Sequence, residues 1–264
     1  MCQHHSYPNP VRCIIPPYMN SKLINSSDEA LAQRAMQSHL QALALRARRQ
    51  FLCEQPVAKK ATKRSVKKTT MAMDVYDIHH STDVAKANLL WQDGKIIKTL
   101  DQDARNVVKA GKGTWDFYYS VYGRNSVDNA GLRLKHYVHY GHTEEDMDNA
   151  MWDGQEMVYG DGDGTVFGSF TSDIDIIGHE LTHSVTQYES NLNYENQSGA
   201  LNESLSDVFG IMIKQKMMNL DTKKSNWLIG ENVLLGNNYS LRSMKAPGTA
   251  YVNHPDLGTD PQPA

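Results

Sequence analysis

The sequence predicts an α+β fold, with short strands in its middle third, helices after them, and a separate helical segment at its front. Three observations predict this. From about residue 71 the texture is one of short β-like runs broken by Asp, Gly and Ser. After Thr171 it turns helical, in two segments near 173–189 and 198–218. The 264 residues are 40% hydrophobic and 22% charged, which suits a globular chain of one large domain or two smaller ones.

Taken in order, residues 1–25 read as extended or turn-rich, because Pro8, Pro10, Pro16 and Pro17 are excluded from helix interiors. Ser26 and Glu29 have capping-box spacing and open a helix. Leu31, Ala35, Met36, Leu40, Leu43 and Ala44 form its apolar stripe, and Arg46, Arg48 and Arg49 suit its C-terminal end. Residues 57–70, VAKKATKRSVKKTT, read as an exposed basic linker open to proteolytic nicking. A nucleic-acid arm is the other reading of such a run, but no aromatic platform or groove-reading helix lies nearby. MDVYDIHH, GKIIKTL, LRLKHYVHYG and EMVYGDGDG then read as strands. A helix is predicted over roughly 103–121, with Val107, Val108, Trp115 and Phe117 facing a core.

Charge divides the chain. Residues 1–70 carry 12 Lys and Arg against 3 Asp and Glu, and the remainder carries 15 against 27. A basic front and an acidic body attract each other at moderate salt. The three cysteines, Cys2, Cys13 and Cys53, are odd in number and confined to the front, which argues against a disulfide framework. No run of 18 apolar residues is present, so no membrane span is expected. The opening MCQHHSYPNPVRC lacks the basic and apolar regions of a classical secretory signal. The expectation is a chain that is cytoplasmic at synthesis or exported by another route.

The sharpest local feature is His179-Glu180-Leu181-Thr182-His183. On a helix, positions i and i+4 share a face, so both imidazoles can reach one ion, with Glu180 beside them able to hydrogen-bond a water. A surface histidine pair with a solvated glutamate is the plainer alternative. A catalytic zinc site needs a third protein ligand and one open position. A longer HExxHxxGxxH pattern would need Gly and His where Thr186 and Glu189 stand, and Glu189 lies about 240° around the helix from His183. Glu203, in SGALNESLSD, is the remaining candidate, provided that a turn near 191–199 folds the second helix back. Asp207, one turn further on, could accept the outer N–H of a liganding histidine.

GHELTHSVTQY and the following SGALNESLSD resemble the zinc helix and its successor in thermolysin-like peptidases. DNAMWDGQEMVYGDGDG, at 148–164, is similar to that family's active-site edge strand, and LRSM at 241–244 to its arginine motif. The resemblance implies a zincin: the thermolysin-like N-terminal catalytic subdomain, with a mixed β-sheet and two zinc-binding helices. It implies zinc on His179, His183 and Glu203, Glu180 as the base, and Tyr194 as an oxyanion donor. Asp207 would orient His179, and Asn202 would stand in a similar supporting place. Asn149 and Ala150 would hold substrate backbone, and Arg242 a substrate carbonyl. Phe167, Phe170, Ile176 and Leu241 would line a pocket for bulky hydrophobic residues of a polypeptide cleaved on their N-terminal side. For Phe167, Phe170 and Ile176 an ordinary core role remains open.

Cys13-Ile-Ile-Pro-Pro-Tyr-Met19 and the helix after it resemble the compact propeptide of the protealysin-like subgroup. That implies a zymogen: residues 1–55 as a one-helix prosegment inhibiting its own cleft, 56–70 as the linker, and 71–264 as the catalytic unit. Neither nucleic acid nor membrane is an implied partner. Cys13 could reach the open zinc position or lie buried beside Ile14 and Ile15. The chain departs from the family in two respects. It ends at DPQPA264 without a Gly-Gly-Val-His type segment, so the C-terminal helical part is expected to be missing and hydrolysis to be slow. The family's double calcium site is expected to be absent, because Lys214, Asn226 and Leu228 stand at acidic positions and only Asp175 and Glu231 keep carboxylates. DGDG at 161–164 is read as a tight turn rather than a calcium loop.

Overall fold

A computed structural model describes residues 14–54, 70–141, 147–192 and 196–262. Cys2, Cys13, Tyr194 and nearly all of the basic linker lie outside these residues. Two helices stand at the front, where one was predicted: α1 (Pro17–Ile24) and α2 (Glu29–Glu54). The prolines do not prevent α1. Pro16, extended at φ −61° and ψ 143°, caps it, and Pro17 starts it, where the missing N–H would have had no helical partner. The cap of α2 is not Ser26. Asp28 Oδ1 accepts from the N–H groups of Ala30 (3.0 Å) and Leu31 (3.1 Å).

The buried face of α2 is also rotated from the predicted stripe. Leu31, Ala35, Ser38, Ala42 and Leu45 are buried, while Met36, Leu40 and Leu43 are exposed. Ser38 explains the difference: a polar residue in the buried row accepts the Asp148 N–H at 2.9 Å, and an apolar count passes over it. Arg48 of the same helix reaches Asp153 of the acidic body at 3.0 Å.

The sheet runs β3-β2-β1-β4-β6-β5, made of β1 (Met73–Ser81), β2 (Asn88–Gln92), β3 (Lys95–Ile96), β4 (Leu134–Tyr140), β5 (Ala150–Trp152) and β6 (Met157–Tyr159). It is mixed: β4 lies parallel to β1 and β6, and the edge strand β5 pairs antiparallel to β6. GKIIKTL supplies only the two-residue β3, with Ile96 and Ile97 exposed; the longer strand NLLWQ was not predicted. The helix α3 (Gln102–Tyr122) matches its prediction and ends on Gly123, left-handed at φ 65°. Ala104, Val107 and Ala110 of α3 join Met73, Val75 and Leu134 in the main core. Ala42 and Leu45 of α2 join Ile78, Tyr137, Met151 and Val158 in a second cluster, so the front segment completes a core that the sheet alone would leave open.

The helices α4 (Ile174–Glu189) and α5 (Asn196–Met217) pack closely against each other. Glycines set the spacing. A Cβ on Gly210 would lie 2.6 Å from the Asp175 carbonyl oxygen, and one on Gly178 3.3 Å from the Gly210 Cα. Gly210→Ala is therefore expected to destabilise the fold by about 1–3 kcal/mol despite alanine's better helix propensity. Urea unfolding measures this, and an unchanged midpoint would refute it. A pair of short strands, β7 (Leu228–Ile229) and β8 (Arg242–Ser243), brings Arg242 against Asp207 in the middle of α5.

Candidate metal centre and cleft

His179 and His183 lie one turn apart on α4, fully buried, with ring centroids 4.5 Å apart and planes at 90°. The close approach of α5 brings the Glu203 carboxylate to both. Its Oε2 is 3.3 Å from His179 Nε2, and its Oε1 is 3.4 Å from His183 Nε2. The outer nitrogens are held from behind. His179 Nδ1 lies 2.8 Å from Asp207 Oδ1; the carboxylate can only accept, so Nδ1 carries the proton. His183 Nδ1 lies 2.9 Å from Asn202 Oδ1 and 2.9 Å from Ser206 Oγ. Ser206 was not predicted, although it stands four residues after Asn202 and so shares its face of α5.

Glu180 points to the same place from the other side. Its Oε2 accepts the Trp152 N–H of β5 at 3.0 Å, and its Oε1 lies 3.8 Å from His179 Nε2. His179 Nε2, Glu180 Oε1 and Glu203 Oε1 are buried without a hydrogen-bond partner. Each such atom ordinarily costs about 1–3 kcal/mol. Three of them converging are a place for a group that satisfies them together. Two imidazole nitrogens and a carboxylate suit zinc. Ligand separations near 3.3 Å are about what an ion ~2.0–2.1 Å from each donor imposes in a tetrahedral shell. The residues present therefore fit the metal.

Charge is arranged accordingly. Burial pushes the Glu203 carboxyl up, but the neighbouring His183 and His179 outweigh it and hold the pKa down at about 2. Asp207 is likewise opposed by burial, yet Arg242 and His179 hold it well below the usual carboxylate range. Arg242 grips Asp207 with both ends of its fork, Nε to Oδ2 at 2.8 Å and Nη2 to Oδ1 at 2.7 Å. Its remaining Nη1 donates to the Ile14 carbonyl oxygen at 2.6 Å. A backbone carbonyl of the front segment thus sits on the side chain predicted to hold a substrate carbonyl. Ile14 and Ile15 are fully buried, in the same cluster as Phe167, Phe170, Ile176 and Leu241. Asn149 and Ala150 are buried at β5, close in sequence to the Trp152 that holds Glu180.

Residues 51–187 match the family model described as thermolysin metallopeptidase, catalytic domain. The chain belongs to the thermolysin metallopeptidase family. Residues 190–263 match the model of the thermolysin metallopeptidase alpha-helical domain, so at least part of the region expected to be missing is present. An extracellular metalloprotease of Pectobacterium carotovorum subsp. carotovorum is 45% identical over 179 residues, 65% of this chain and 50% of that protein. Protease PrtS of a Photorhabdus species is 35% identical over 259 residues, 97% of this chain and 67% of its own length. The solved precursor of protealysin, a metalloproteinase from Serratia proteamaculans, superposes with a TM-score of 0.78 at 39% identity, over 96% of this chain and 71% of that one. This chain thus spans half the length of the Pectobacterium relative and about two thirds of the Photorhabdus one.

Other predicted features fall away from the centre. Glu189 pairs with Arg124 and takes no part in it. His254 Nδ1 accepts the N–H groups of Asp256 and Leu257, which closes a local turn. Asp163 Oδ1 accepts three N–H groups, from Thr165, Val166 and Phe167, so DGDG is built as a turn. At the positions discussed for calcium, Lys214 Nζ stands 3.4 Å from Asp175, 3.6 Å from Glu231 and 3.3 Å from the Leu228 carbonyl oxygen. Among the described residues no helix is long and apolar enough to cross a membrane.

Proposed function

We propose that this chain is the latent form of a zinc endopeptidase that cleaves polypeptides on the N-terminal side of bulky hydrophobic residues. The convergence of unsatisfied atoms from His179, Glu180 and Glu203 carries the reading. His179, His183 and Glu203 hold zinc, which supplies polarisation of a water and of the scissile carbonyl. Glu180 is the base. Its Oε2 is fixed by the Trp152 N–H, leaving Oε1 to take the water's proton and later return it to the leaving nitrogen. Tyr194, outside the described residues, donates to the developing oxyanion. Asn149 and Ala150 bind substrate backbone at the free edge of β5, and Arg242 binds a carbonyl. Phe167, Phe170, Ile176 and Leu241 receive the hydrophobic side chain.

Residues 1–55 form the prosegment, and 56–70 the linker whose cutting releases it. The Ile14 carbonyl on Arg242 and the burial of Ile14 and Ile15 support inhibition by occupancy of the cleft. Turnover of a quenched peptide by the zinc-loaded chain, before and after scission in the linker, tests this. Latency predicts a rise on scission. Equal turnover in both forms excludes the prosegment as inhibitor, and no turnover with zinc bound leaves the chain a zinc-binding polypeptide. The name of the Pectobacterium relative motivates action outside the cell; nucleic acid and membrane are not proposed as partners.

Calcium is not a proposed cofactor at the Asp175 cluster, because the Lys214 ammonium already satisfies those oxygens. The melting temperature is expected to be the same with calcium as with a calcium chelator. A rise of several degrees would show that the ion binds the native state.

A further inference from the structure

Away from the cleft, the described residues hold a second convergence of a histidine with carboxylates. Asp101 caps α3, Asp103 lies in its first turn, and His139 stands near the end of β4. One donor atom from each lies within 4.8 Å of the others. His139 Nε2 is 3.0 Å from Asp101 Oδ2, and its Nδ1 is 2.9 Å from each oxygen of Asp161. Asp103 is steadied through its Oδ1 by the hydroxyls of Ser169 and Thr171. A histidine that ligates a metal characteristically gives its other ring N–H to a carboxylate, which orients the ring and raises its basicity. Asp161 supplies that contact at Nδ1, and Nε2 faces Asp101.

We propose that His139 Nε2, Asp101 and Asp103 form a second divalent-metal site, of a donor set suited to zinc. An ion about 2.1 Å from each donor spans at most ~4.2 Å between donors, so groups already within 4.8 Å of one another need only a small adjustment to hold it. The positive end of α3 opposes a cation with roughly half a charge. Arg105 lies nearby as well. Three carboxylates, Asp101, Asp103 and Asp161, outweigh both. In the metal-free protein the hydrogen bond to Asp161 is the largest cause holding His139 protonated, with its pKa raised to about 10 against the effect of burial. Entry of the ion therefore releases the Nε2 proton to solvent. An ion bound here ties the start of α3 to the end of β4, and so stabilises the sheet side of the molecule without touching the cleft.

Equilibrium dialysis of the full chain against zinc, with metal counted per chain, tests the proposal. Two ions are expected in the parent and one in His139→Gln. Asp101→Asn is also expected to hold one, and it guards against misfolding because asparagine caps helices as well as aspartate does. His183→Ala is expected to lose the cleft ion and keep the other. A zinc-dependent rise in melting temperature should persist in His183→Ala and vanish when His139→Gln is added to it. The same zinc count in parent, His139→Gln and Asp101→Asn would overturn the site. So would a count that falls with His80→Gln, whose ring lies 5.6 Å from that of His139, but not with His139→Gln.

Discussion

Asp207→Ala is expected to destabilise the chain by about 3 kcal/mol or more and to weaken zinc binding about 10–100-fold. Two separate losses add up at this position. Arg242 is nearly buried, and both hydrogen bonds of its fork to Asp207 disappear, leaving a guanidinium without its counter-charge. His179 at the same time loses the acceptor that fixes its proton on Nδ1 and so presents Nε2. Asp207→Asn separates the two. An amide oxygen can still accept from His179, so zinc affinity should fall less than in Asp207→Ala, while most of the stability loss remains. Denaturant unfolding of the metal-free proteins and zinc competition against a chromophoric chelator measure the two effects. Equal stability of parent and Asp207→Ala would refute the network.

Glu203→Gln is expected to lower zinc affinity by more than about 100-fold, beyond what loss of an orienting partner costs. The shape is kept and the charge is lost. His183 and His179 hold the carboxyl's pKa down at about 2, so near neutral pH the parent offers an anionic ligand. The glutamine offers a neutral oxygen, and its NH2 group competes for the same space. In the metal-free protein the substitution keeps the shape at this position but removes the charge held against the two histidines, so a loss of stability is expected alongside the loss of affinity. Affinity within threefold of the parent would remove Glu203 from the ligand set.

Much of the centre was legible from spacing alone. His179 and His183 on one helical face, Glu189 turned away, and Asp207 one turn after Glu203 are consequences of 3.6 residues per turn. The position of Glu203 against both histidines was not, because it depends on the tight α4–α5 approach that Gly178 and Gly210 allow. The strands β1, β4 and β6 and the helix α3 were readable from β-branched and aromatic runs and from an amphipathic stripe. The faces of α2 were misread because Ser38 is buried for its hydroxyl, and α1 was missed because proline at a helix start looks like proline against a helix. The contact between Ile14 and Arg242 had no signature, since a backbone carbonyl is an acceptor on every residue.

Glu180 carries the claim of catalysis, so the decisive measurement is peptide hydrolysis by the zinc-loaded chain cut in its linker, beside Glu180→Gln prepared in the same way. The base assigned here predicts one cleft zinc in both proteins and turnover lower by roughly 100 to 10,000-fold in the variant. Turnover in Glu180→Gln equal to that of the parent, with the zinc still in place, would contradict it.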